Sequence, residues 1–132
     1  MITIWLGGIL HYEDLIINRN GKNSRDFTYI KDVIQANLLV TKQDIAGEIF
    51  NIGAESPITL TNLAKLILKL THKEHLKINY TVPRPGDILY SYADNSKANR
   101  LLKFEPSYSQ EKGLEDYLKW YDQKYGTNLI LN

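Results

Sequence analysis

The chain contains no cysteine. That excludes disulfides and thiolate metal sites, and it suits a cytoplasmic setting, which is the expectation. Neither sign of charge is in surplus: 16 Lys and Arg stand against 15 Asp and Glu, a formal net charge of +1. So close a balance offers no electrostatic footprint for nucleic acid and no polybasic face for an anionic membrane. Long apolar runs are missing too. A membrane-spanning helix needs roughly 20 such residues, and the stretch from Ile2 to Leu10 is far shorter. It has no basic flank and no small-residue cleavage site, so it does not read as a signal peptide. There are no internal repeats and no low-complexity linker, and residues 1–132 read as a single domain. Also absent are the Gly-x-x-x-x-Gly-Lys-Ser/Thr phosphate loop and the Gly-x-Gly-x-x-Gly dinucleotide fingerprint.

What is present alternates between helical and extended patterns. Ile2 to Leu10 reads as a short helix weakened by Gly7-Gly8. Asp14 to Asn18 reads as a strand ending in a turn at Asn20-Gly21. Phe27 to Ile30, β-branched and aromatic, reads as a second strand. Asp32 is a candidate N-cap for a helix carrying Val33, Ala36, Asn37 and Val40, its apolar face widened by Ile34 and Leu38. Glu48 to Ile52 reads as a buried strand ending at Gly53. The clearest helix follows Thr59, with Leu60, Leu63, Leu66, Ile67 and Leu70 in one stripe. Lys77 to Val82 alternates as a strand, and Pro83-Arg-Pro-Gly86 breaks it. Asn95 or Ser96 caps a short helix through Leu102, and Ser109 caps a last helix with Leu114, Leu118 and Tyr121 on one face. This alternation predicts an α/β fold.

The chemistry gathers around two arginines. Arg25-Asp26 follows one turn, and Arg84-Pro-Gly-Asp87 makes a stiff loop after another. A guanidinium presents a planar fork of donors that matches phosphate oxygens. Proline fixes the loop, and glycine lets backbone approach a ligand. Two such arginines suit a diphosphate, with Asp87 free to accept from a ribose hydroxyl. On spacing alone, surface ion pairing is the commoner use of such residues. Other patterns are weaker. His72 and His75 share a helical spacing but lack a third ligand, so no metal site is expected. His11 stands alone. Tyr108 and Lys112 have the Tyr-x-x-x-Lys spacing of a proton-transfer pair, but Pro106 and Ser109 place them where a loop enters a helix, so the spacing reads as coincidence. Trp120, Tyr121 and Tyr125 read as packing.

The order of the pieces is more specific than any of them. Gly21-Lys-Asn-Ser-Arg-Asp-Phe-Thr-Tyr-Ile-Lys-Asp-Val33 resembles the Gly-x-x-x-Arg-Asp-Phe/Tyr-x-x-Val/Ile-x-Asp-Val segment of the extended short-chain dehydrogenase/reductases, the NAD-dependent sugar-nucleotide epimerases and dehydratases. Then come Glu48-Ile-Phe-Asn-Ile-Gly53, Ile58-Thr-Leu-Thr-Asn-Leu-Ala64, Arg84-Pro-Gly-Asp87, Tyr92-Ala-Asp-Asn-Ser-Lys-Ala98, Leu102-Lys-Phe-Glu-Pro106 and Gly113-Leu114, in the family's order. The resemblance runs from about Ile4 onward. It implies a Rossmann-like fold of which this is the C-terminal, substrate-binding portion, with an incomplete nucleotide-binding sheet. It implies that Arg25 and Arg84 grip a nucleotide diphosphate and that Asp87 lies near the ribose or diphosphate. It further implies that Asn51 contacts substrate, and that Ile16 to Asn18 lies against the base. The implied ligand is a UDP- or dTDP-hexose.

One departure is local. Where the family carries an aromatic-Gly-Asp-Gly turn, this chain has Asn18-Arg-Asn-Gly21: an arginine replaces a glycine and an aromatic side chain is lost. The other is absence. The family's glycine-rich loop and catalytic Tyr-x-x-x-Lys precede the segment matched here, so the resemblance implies no catalytic and no cofactor-binding residue within 1–132, and NAD only in the complete enzyme. The expectation is a truncated chain, inactive alone. The alternatives are a non-catalytic nucleotide-sugar-binding or partner-docking module, or one half of a split enzyme. An uncovered apolar edge leads to a homo-oligomer, or a missing N-terminal half, as the expected partner.

Overall fold

The structure, a computed structural model, describes residues 1–130. It begins with helix α1 (Ile2–Leu10), whose buried face is Trp5, Leu6 and Ile9. The Trp5 indole N–H donates to the Ile16 carbonyl at 3.0 Å and so fastens α1 to the strand that follows. That strand, β1 (Leu15–Asn18), pairs in parallel with β4 (Ile78–Thr81), in register from Leu15–Ile78 to Asn18–Thr81. A parallel pair needs a long crossover, and here it includes helix α3 (Leu60–Leu70), which packs Leu60, Leu63, Ala64, Ile67 and Leu68 into the core. Thr59 caps α3: its hydroxyl accepts from the Asn62 N–H. Helix α5 (Gln110–Tyr125), capped by Ser109, closes the core with Leu114 and Leu118. Trp120, Tyr121 and Tyr125 pack against one another, with the Tyr121 and Tyr125 rings 4.7 Å apart.

A second, antiparallel pair joins β2 (Ser24–Arg25) to β3 (Ile58–Thr59). Two helices stand apart from the main core. α2 (Ile30–Val40) and α4 (Ser96–Leu102) share a smaller cluster of Ala36, Ala98, Leu102 and Phe104.

Four expectations are corrected. Phe27 to Ile30 is not a strand: the ladder stops at Arg25, and α2 begins at Ile30. The Asp26 carboxylate accepts the N–H groups of Glu55, Ser56 and Ala93, so side-chain anchoring holds the chain extended where a ladder was expected. Asp32 is not the N-cap of α2. It lies buried in the first turn and accepts from the Ser107 N–H and hydroxyl and from the Tyr108 N–H. Glu48 to Ile52 is not a buried strand, because no ladder partner faces it among the described residues. Lys97 instead pairs with Glu48 and donates to the Ile49 carbonyl, and the Ile49 side chain is 83% exposed. Finally, the apolar face of α2 is packed only in part: Ala36 is buried, but Ile34 and Leu38, expected to widen that face, remain about half exposed, at 49% and 57%.

Candidate functional site

β1 and β4 both end at the same edge, at Asn18 and Thr81. Ligands of open parallel sheets bind beyond the carboxyl ends of the strands, and the two loops leaving this edge carry the arginines. The first loop needs Gly21. Its φ is +69°, and a Cβ there would lie 2.1 Å from the Thr61 hydroxyl oxygen. With no side chain in the way, Gly21 and Asn23 offer their carbonyls to the N–H groups of Thr61 and Leu60, which pins the loop to the start of α3. The second loop turns at Arg84-Pro85-Gly86-Asp87. Gly86 has φ +75°, and the Asp87 N–H donates to the Arg84 carbonyl at 3.2 Å, a type II turn with proline and glycine in their preferred places. Beyond the turn, Ser24 receives the second loop: its N–H donates to Leu89 and its carbonyl accepts from Ser91.

This docking brings Arg25 and Asp87 together. The Arg25 Nη2 donates to Asp87 Oδ1 at 2.9 Å, and Nη1 donates to the Ser24 carbonyl at 2.8 Å. The other Asp87 oxygen accepts from the buried carboxamide of Asn23. Both members of the ion pair are largely shielded but still open to a ligand. Asp87 thus holds Arg25 and not its neighbour in sequence, Arg84. Arg84 is exposed at the start of the turn and makes no side-chain hydrogen bond among those found for the described residues. Asn18 closes the ladder end, accepting from the Thr81 hydroxyl at 3.4 Å.

Asn51 lies elsewhere, in a polar cavity of about 340 Å³ shared with Asp26, Thr28, Gly53, Ser91 and Tyr92. Its wall is fixed by Asn95, a buried residue whose carboxamide clamps Gly53 at both N–H (2.9 Å) and carbonyl (2.8 Å). Asn95 therefore holds the N-cap position of α4 without giving it a side-chain bond. Asp94 instead accepts from the Ser96 N–H, and that bond holds the Asp94 carboxyl below its ordinary range. A larger cavity, about 470 Å³ and mostly apolar, contains none of the candidate residues. Asn23, Asp26 and Asn95 are the site-building residues the sequence reading did not single out as such. Asp26 was signalled by its place beside Arg25, and the two asparagines carried no signal. Among the described residues no group of three or more His, Asp or Glu side chains is placed to hold a metal ion, and no helix is long and apolar enough to cross a membrane.

A parallel strand pair whose carboxyl-edge loops carry a half-buried arginine–carboxylate pair and a second arginine suits the C-terminal region of an α/β fold of the extended short-chain dehydrogenase/reductase type. The chain belongs to the NAD-dependent epimerase/dehydratase family and corresponds to its C-terminal region: the family model described as GDP-mannose 4,6 dehydratase matches residues 4–117. An uncharacterized protein of Methanocaldococcus jannaschii is 36% identical over 113 residues, 86% of this chain and 34% of that one. A UDP-glucose 4-epimerase of Thermotoga maritima, solved with UDP-glucose, superposes with a TM-score of 0.83 at 32% identity, over 93% of this chain and 39% of that chain. A UDP-glucuronic acid 4-epimerase of Bacillus cereus, solved with UDP-glucuronic acid and NAD, gives 0.82 at 29% identity, over 92% and 39%. The chain thus spans between a third and two-fifths of the length of these relatives.

Proposed function

We propose that this chain is the nucleotide-sugar-binding portion of an NAD-dependent epimerase or dehydratase, and that it takes the diphosphate of a UDP- or dTDP-hexose between Arg25 and Arg84. The observation that carries this reading is the Asn23–Asp87–Arg25 chain of hydrogen bonds. It aims one guanidinium by second contacts, beside a rigid turn that presents another. A fork held by its own carboxylate and carbonyl spends little further rotamer freedom on a ligand. Asn51 and the polar cavity beside Asp26 then lie within the same loop system, through Ser91 and Ala93.

The nicotinamide cofactor of the family supplies hydride transfer, and the residues described here do not fit it. The parallel pair opens onto arginine loops and a Pro-Gly turn, not onto a glycine-rich turn leading directly into a helix. Lys112, at Tyr-x-x-x-Lys spacing from Tyr108, is paired with Asp116 and Glu115. No chemical step is assigned to this chain, and its part is binding.

Titration calorimetry with UDP and dTDP tests the reading. Binding is expected to be weak and to weaken further with salt, because the contacts are only partly shielded. Arg84→Ala should cost on the order of 1.5–3 kcal/mol, and Arg84→Lys should recover only part, since lysine has no fork. The chain alone should turn over no UDP- or dTDP-hexose. Absence of binding at millimolar nucleotide, or equal binding by the parent and Arg84→Ala, refutes the site.

A further inference from the structure

The polar cavity of about 340 Å³ beside the arginine loops has a chemistry of its own. One of its lining groups is committed: the Asp26 carboxylate accepts the N–H groups of Glu55, Ser56 and Ala93. Four others are not. Thr28, Asn51, Ser91 and Tyr92 also line the cavity, and none of their side chains enters a hydrogen bond found among the described residues. Asn51, Ser91 and Tyr92 are exposed, so a ligand can reach them. The cavity also adjoins the arginine fork. Asp26 follows Arg25 directly, and the Ser24 carbonyl that accepts from Arg25 Nη1 accepts from the Ser91 N–H as well. A group bonded to a phosphate at Arg25 therefore has the cavity next to it.

The open groups are three hydroxyls and a carboxamide. Each both donates and accepts, and none is charged. Such a set matches a ring bearing several hydroxyls, which likewise donate and accept. Charge narrows the match further. No Lys, Arg or His lines the cavity, and its one charged group is the Asp26 carboxylate. The nearest arginine in sequence, Arg25, is committed to Asp87 and to the Ser24 carbonyl. Glu55, tied to Asp26 through its N–H, adds a second carboxylate nearby. An acidic group entering here would meet like charge, with no cation in the lining to offset it.

We propose that this cavity seats the sugar of the nucleotide sugar and admits a neutral hexose in preference to a uronic acid. The inference rests on the binding reading above and deepens it by naming the class of sugar. Membership of the family leaves that choice open, since its solved members hold UDP-glucose and UDP-glucuronic acid alike. Asn51 sets the preference from the exposed side of the cavity, where its carboxamide meets the ring hydroxyls. Asp26 sets it by repulsion.

The test titrates the full chain at low salt with UDP, UDP-glucose and UDP-glucuronate, alongside Asn51→Ala and Asn51→Lys. The parent should bind UDP-glucose more tightly than UDP, on the order of three- to tenfold, the span of one ordinary hydrogen bond. UDP-glucuronate should gain nothing over UDP. Asn51→Ala should narrow the gap between UDP-glucose and UDP. Asn51→Lys, which brings a cation to the cavity, should move the preference toward UDP-glucuronate. If the parent binds UDP but takes UDP-glucose no more tightly, the cavity does not seat the sugar: this inference fails and the binding reading stands. It fails in the same way if UDP-glucuronate binds as well as UDP-glucose, or if Asn51→Ala keeps the whole gap. If the parent binds none of the three, the binding reading fails with it.

Discussion

Replacing Gly53 by alanine should damage the site through sterics alone. The Gly53 φ is not in the left-handed region, so no backbone strain enters. The new Cβ would meet the Ala93 Cβ at 2.3 Å and Asp26 Oδ2 at 2.6 Å. Neither neighbour yields freely. The Ala93 methyl has no rotamer to change, and the Asp26 carboxylate is held by the N–H groups of Glu55, Ser56 and Ala93. The main chain must therefore move, and it is gripped on both sides of Gly53 by Asn95. Overpacking of this kind costs about 1–3 kcal/mol, and loosening the two Asn95 bonds adds about 0.5–1.5 kcal/mol for each one lost. A chain of this size should then melt several degrees lower, at roughly 3–5 °C per kcal/mol. The assay is urea unfolding of Gly53→Ala, Ala93→Gly and the double variant. Removing the Ala93 methyl should restore part of the loss, which appears as a favourable coupling energy in the cycle. Gly53→Ala as stable as the parent, or effects of the two changes that simply add, would show that the close approach is not real.

Two further outcomes are expected. Several carboxyls are held below their ordinary values: Asp14 by the Lys77 N–H, Glu48 by Lys97, and Asp116 by Lys112. Burial pushes Asp122 up, but the Ile130 N–H, the Thr127 hydroxyl and the Leu129 N–H outweigh it. A depressed folded pKa gives stability that is present above the unfolded value, near 4, and is lost as pH falls through the folded value. The urea midpoint should therefore drop steadily below about pH 4, and a midpoint that is flat from pH 5 to 3 refutes this. We also propose that the chain self-associates through the exposed stripe of Ile30, Ile34 and Leu38 on α2. Sedimentation should show a dimer or larger species that Ile34→Glu shifts to monomer, and a stable monomer of the parent at high concentration counts against it.

The helices were legible because their signals are local. Thr59 and Ser109 each lie at the boundary where an apolar stripe begins, and each side chain caps its own helix. β1 and β4 were legible as elements, though not as partners. Composition misled at Phe27 to Ile30 and Glu48 to Ile52, since β-branched and aromatic residues favour an extended chain whether or not a neighbour completes a ladder. Asp32 misled because a carboxylate three residues into a helical pattern looks the same whether it caps its own turn or serves a loop 75 residues away. At the site, residue type and order picked out Arg25, Arg84 and Asp87, but not who pairs with whom. Arg84 is the nearer in sequence to Asp87, yet the turn between them directs only backbone to backbone. Asn23 and Asn95 act through buried carboxamides whose partners lie 64 and 42 residues away, beyond the reach of any local pattern.

The Asp32 clamp has a consequence for how the arginine loop loosens. α2 follows Arg25 by only a few residues and buries little of its own apolar face, so its ordinary packing holds it weakly. Its anchor is the set of bonds from Asp32 to Ser107 and Tyr108, at the doorstep of α5. Such a helix opens as a unit, when its clamp releases, more readily than it frays turn by turn. Amide protons of α2 should then exchange with solvent at a common rate set by the residues before α5. The breathing of the segment beside Arg25 is thus governed by Ser107 and Tyr108, much further along the chain.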